Sequence, residues 1–135
     1  MTKVFYSKRL RRMANVQGCL KKITENNLAD TLYKRMQTES LMKVVMTAMT
    51  SGLPIHASFL SQYSRFYQRL LETQQQLTHL QEVQESCLLS EKLKIKHLNE
   101  RAEVAQALEE IEIEEENIQG YIEHNFLVTP ASSKL

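Results

Sequence analysis

The chain has 135 residues and a mass of 15.7 kDa, with only three Gly and two Pro. So few turn residues exclude a β-sandwich, which needs turn signals about every 8–12 positions. Aromatics are 7% and Trp is absent, so the core is thin and aliphatic, which argues against an enzyme whose deep pocket is built from converging loops. Net charge is +1, yet residues 1–50 hold ten Lys/Arg and three Asp/Glu, while residues 51–135 hold seven and thirteen. A chain so polarised is either stapled to itself or a two-ended binder.

The predicted fold is all-α, a long antiparallel two-helix coiled-coil hairpin. Helix 1 spans about 3–50, with apolar residues at Leu10, Met13, Val16, Leu20, Ile23, Leu28, Leu32, Leu41, Val45 and Met49 as one stripe. Gly18 and Asn26-Asn27 weaken it and allow a kink or break near 26–30. Ser51-Gly52-Leu53-Pro54 ends the helix and sets a turn over 51–56.

Helix 2 spans about 57–126, with Leu60, Tyr63, Phe66/Tyr67, Leu70, Leu77 and Leu80 at heptad spacing, then Ile95, Leu98, Ala102 and Ala105. The eleven residues from Leu77 to Leu88 imply a four-residue stutter, with Gln84 and Glu91 on the seam. A turn centred at Leu53-Pro54 pairs residues whose numbers add to about 108, so Leu10 faces Leu98 and Leu28 faces Leu80. Helix 2 then outruns helix 1, leaving Ile111, Ile113 and Ile118 needing another surface. Pro130 ends any helix, and residues 127–135 form a flexible tail.

No catalytic, cofactor or metal constellation is visible. His56, His79, His97 and His124 are scattered, and neither HExxH nor CxxC spacing occurs. Glu109–Glu116 holds six acids in eight residues, either a solvated face or a docking surface for a basic partner. Cys19 and Cys87 are too few for a disulfide framework; they fall near the pairing register, as small buried seam residues or a regulatory pair. Lys8-Arg9-Leu10-Arg11-Arg12 suits phosphates, but without stacking aromatics or a net positive charge it favours protein or intramolecular partners, so no nucleic acid is expected. No signal peptide or membrane-spanning stretch is read, and the cytoplasm is the expected compartment. Ser133-Lys134-Leu135 is the peroxisomal import tripeptide and opens an alternative, a small coiled-coil subunit of a eukaryotic, peroxisomal complex.

The segment Leu60-Ser61-Gln62-Tyr63-Ser64-Arg65-Phe66-Tyr67-Gln68-Arg69-Leu70 places apolar, Tyr, Phe and Leu residues at its first, fourth, seventh and eleventh positions. With a basic helix 1, a short Gly/Pro break and a Gln- and Glu-rich helix 2, it resembles the FliJ/YscO family over about residues 5–108. These are the central stalk proteins of type III flagellar and virulence export ATPases. The resemblance implies a non-enzymatic coiled coil that inserts into the hexameric ATPase ring, promotes its assembly, and contacts the export gate and chaperones. It further implies that Arg9, Arg11 and Arg12 face the ring beside Lys94, Lys96 and Arg101, with Tyr63 and Phe66 as packing or gate contacts near the hairpin tip. The acidic run Glu109–Glu116 departs from the mixed or basic end that the resemblance implies.

Overall fold

The computed structural model describes the backbone of residues 4–133 and the side chains of residues 6–126. Three helices occupy it: α1 (Val4–Thr50), α2 (Pro54–Ala57) and α3 (Leu60–Ser133). The two long helices pack against each other, antiparallel, as an all-α hairpin. No described helix is long and apolar enough to cross a membrane.

The turn is built as its residue types require. Gly52 takes a positive φ of 72°, which a side chain would strain. Ser51 Oγ donates to the Ala48 carbonyl at 3.0 Å and accepts the Leu53 N–H at 3.4 Å. Pro54 opens α2, where its missing N–H costs nothing. The expected turn over 51–56 therefore contains a helical turn of its own, and α3 starts at Leu60 rather than 57.

Contacts divide into two compact units: residues 1–17 with 93–135, and residues 18–92. In the first unit Leu10 packs on Ala102, Ala105 and the half-buried Leu98. Ala102 is fully covered, because a methyl side chain lets the opposite helix approach while Leu10 fills the space beside it. Ser7 meets Glu109 and Arg11 meets Gln106, so paired numbers add to about 116. In the second unit Thr24 Oγ1 donates to Glu91 Oε1 at 2.9 Å and Arg35 donates to Gln81, which is the same sum. The expected register of about 108 is thus corrected by roughly one heptad. The connector consumes α2 as well as the Gly-Pro break, which moves the centre of the turn toward Ser58.

Covered positions follow a strict three–four alternation. On α1 they run Ser7, Leu10, Ala14, Gln17, Lys21, Thr24, Leu28, Thr31, Arg35, Thr38, Met42, Val45 and Met49. On α3 they run from Tyr63, Tyr67 and Leu70 through Leu77, Gln81, Gln84, Leu88, Glu91 and Ile95 to Ala105, Glu109 and Glu112. The expected stutter after Leu77 is absent, since Gln81 occupies the seam and Leu80 is exposed. Gln84 and Glu91 are on the seam as expected, and Gln84 Oε1 and Glu91 Oε2 have no hydrogen-bond partner there. Met13, Val16, Leu20, Ile23, Leu32 and Leu41, expected in the helix 1 stripe, are exposed. A 3.5-residue seam is narrower than the apolar stripe of α1, so these residues fall beside it.

Helix α1 is continuous through Asn26-Asn27, and no break occurs at 26–30. Asn costs a helix only a few tenths of a kcal/mol, and the Asn27 carbonyl also accepts the hydroxyl of buried Thr31 at 3.0 Å. The α3 backbone is helical to Ser133, beyond 126 and past Pro130, so the proline does not end the helix. The rest of the expected tail, including Lys134 and Leu135 of the import tripeptide, lies outside the described residues.

Cys19 and Cys87 are free and exposed rather than buried in the seam. In the observed register they are offset by about ten residues, roughly 15 Å along the helices, too far for a disulfide. Both thiols are expected to react with Ellman's reagent in the native protein at the rate of an open thiol; a protected thiol would contradict the observed faces. Leu10→Ala is expected to cost about 2–4 kcal/mol in urea unfolding, the range for emptying a packed leucine site.

Candidate partner-binding surface

Within the first unit, α1 exposes Lys8, Arg9, Arg11 and Arg12, and α3 exposes Lys94, Lys96 and Arg101. Their positions follow from the seam: with Ser7, Leu10 and Ala14 turned inward, the residues between them face out. Arg11 donates to Gln106 Oε1 at 2.6 Å across one flank of the pair. Arg101 donates to the Tyr6 hydroxyl at 3.1 Å across the other. The six cations singled out from the sequence, Arg9, Arg11, Arg12, Lys94, Lys96 and Arg101, therefore belong to one unit.

Tyr63 and Phe66 belong to the second unit, close in sequence to α2. Tyr63 is half-buried; its hydroxyl is hydrogen-bonded to His56 Nδ1 at 3.1 Å and its ring packs on Phe59 with centroids 6.3 Å apart. It braces the turn. Phe66 is exposed and available to a partner.

The acidic run divides by heptad position. Glu109 is on the seam and only 6% exposed; its carboxylate accepts the Ser7 backbone N–H at 3.1 Å and the Ser7 hydroxyl at 2.6 Å. The first turn of α1 carries no acid of its own, so a carboxylate from α3 supplies the negative charge that a helix N-terminus favours. This contact was not legible in the sequence, where Glu109 is one of six similar acids. Glu110, Glu114, Glu115 and Glu116 are exposed.

Beside the seam, Val104, Leu108, Ile111, Ile118 and Ile122 form an exposed apolar stripe on α3, each more than half exposed. Steps of four, three, seven and four keep them on one face. Val104, Leu108 and Ile111 line a groove of about 680 Å³ together with Tyr6, Arg101, Glu112 and Glu115. Ile111, Ile113 and Ile118 were expected to need another surface, and all three are exposed.

Among the described residues no three His, Cys, Asp or Glu side chains group as metal ligands would. His97 Nδ1 lies 3.9 Å from Glu100 on the exposed face of α3. The arrangement offers charge and apolar area for binding. The chain matches no protein-family model, no curated protein and no solved structure.

Ser7→Ala is expected to destabilise the fold by about 1–3 kcal/mol, because it strips the hydroxyl donor from a buried carboxylate. Combined with Glu109→Ala, the loss should fall short of the sum of the two single losses. A double-mutant cycle in urea checks this, and simple additivity would mean that the pair is uncoupled.

Proposed function

We infer that the chain is a non-enzymatic coiled-coil stalk or adaptor of a type III export apparatus, acting in the cytoplasm, where it engages the hexameric export ATPase and promotes ring assembly. The observation that carries this reading is a long antiparallel helix pair whose first unit gathers the cations Arg9, Arg11, Arg12, Lys94, Lys96 and Arg101. An antiparallel helix pair suits insertion along a ring axis, and exposed guanidinium groups suit an acidic ring lining through charge-assisted bonds. Arg9 and Arg12 are the best candidates for ring contact, because Arg11 and Arg101 already bond within the hairpin. Phe66, exposed near the turn, suits the export gate or a chaperone.

The test is capture from native lysate read by mass spectrometry, followed by light scattering of the purified export ATPase with and without the chain. Recovery of the ATPase and faster ring assembly are expected, with binding weakened at least about tenfold by joint Arg9→Glu and Arg12→Glu, the scale for losing charge-assisted contacts. An ATPase whose assembly ignores the chain would overturn the reading.

A further inference from the structure

We propose that the hairpin end of the second unit is a membrane-surface anchor, which seats its turn in the interface of an anionic lipid bilayer. From Val44 to Ser64 the chain carries no Asp, Glu, Lys or Arg, although 24% of all residues are charged. These 21 residues hold the end of α1, all of α2 and the start of α3. A turn on the surface of a water-soluble domain is ordinarily polar or charged. Here Leu53, Ile55, Phe59 and Leu60 are exposed by 54, 66, 43 and 46%. The turn is also held in shape. His56 Nδ1 is hydrogen-bonded to the Tyr63 hydroxyl at 3.1 Å, and Phe59 packs on the Tyr63 ring, so little ordering is left for a contact to impose.

The occupant follows from the individual charges that border this segment. The first on α3 are Arg65 and Arg69, both exposed and one helical turn apart on the same face. They lie about 8 and 14 Å behind Leu60 along the helix. The first on α1 is Lys43, which is paired with Glu39 at 3.8 Å, so the two arginines carry the attraction. No acid lies between Glu39 and Glu72. An amphipathic segment at a bilayer sinks its apolar side chains about 5–10 Å into the boundary between headgroups and acyl chains. At that depth Arg65 reaches the lipid phosphates and Arg69 the water just above them, where a basic residue is drawn to an anionic leaflet. A second copy brings the same arginines to the same end, so end-to-end pairing would set cation on cation. A folded partner would need a pocket shaped for apolar side chains that project from a turn. A fluid bilayer needs no such shape, only apolar area with cations set behind it.

The inference does not rest on the export-stalk reading, and its test needs only the full chain and lipid vesicles. In co-sedimentation, vesicles of phosphatidylcholine with about one-third phosphatidylglycerol are expected to carry the chain down, and vesicles of phosphatidylcholine alone to bind it at least about tenfold more weakly. Joint Leu53→Glu and Ile55→Glu should weaken binding at least about tenfold, as should joint Arg65→Gln and Arg69→Gln. Joint Lys8→Gln and Lys22→Gln removes the same charge elsewhere and should leave binding within about twofold. All six positions are exposed, so circular dichroism should report the same helicity for every variant. Trp is absent from the chain, so Phe59→Trp supplies a single reporter, whose emission should shift to the blue and be quenched by brominated acyl chains on binding. No binding to the anionic vesicles would overturn the proposal. So would binding that survives Leu53→Glu with Ile55→Glu, that falls equally with Lys8→Gln and Lys22→Gln, or that leaves the Phe59→Trp reporter in water.

Discussion

The constraint on which the rest depends is the three–four alternation of covered positions along α1 and α3. It determines which side chains leave water, irrespective of how apolar they are. Leu10, Val45 and Leu70 are buried because they fall on it. Ser7, Thr31, Thr38 and Glu109 are buried for the same reason, although none is apolar. Met13, Val16, Leu20 and Ile23 stay exposed because they fall one place to its side. Two helices that touch along a line can cover only a narrow strip of each, so apolar residues in excess of that strip must face outward.

A seam this polar gains less from burial than a leucine seam and more from specificity. Within the first unit, sliding α3 by one heptad would replace Glu109 by Ala102 or Glu116 opposite Ser7, and would move Leu10 off the small Ala102 and Ala105 or onto acids. Within the second unit the same slide would separate Thr24 from Glu91. Polar pairs at seam positions are a known means of specifying register at some cost in stability. That cost is visible here, since Arg35 Nε, Gln74 Oε1, Gln84 Oε1 and Glu91 Oε2 are buried without partners. The ion pairs Lys21–Glu25 at 3.6 Å and Lys43–Glu39 at 3.8 Å lie within α1, half-buried only at Lys21, and contribute a few tenths of a kcal/mol each.

The seam also decides which side chains are left outside. Lys8, Arg9, Arg11 and Arg12 of α1 and the apolar stripe Val104, Leu108, Ile111, Ile118 and Ile122 of α3 reach the surface because none of them falls on a covered position. Glu109 shows the contrast: it belongs to the same acidic run as Glu110, yet its heptad position carries it inward to the first turn of α1, where it has a structural role. One acidic segment thereby serves both packing and surface charge.

The helical class, the hairpin, the turn at Gly52-Pro54 and the seam positions of Gln84 and Glu91 were legible from the sequence, because they follow from local properties: backbone propensity, a glycine able to take positive φ, a proline that opens a helix, and heptad spacing. The clustering of cations near the start of α1 was legible too, as charge needs no fold to be counted. The register near 116, the uninterrupted heptad, the continuity through Asn26-Asn27, the exposure of Cys19 and Cys87 and the capture of Glu109 by Ser7 were decided by the tertiary structure alone. Each depends on how one helix is set against another over many turns. A heptad carried by polar residues leaves no hydrophobic signature from which that setting can be read in a single strand.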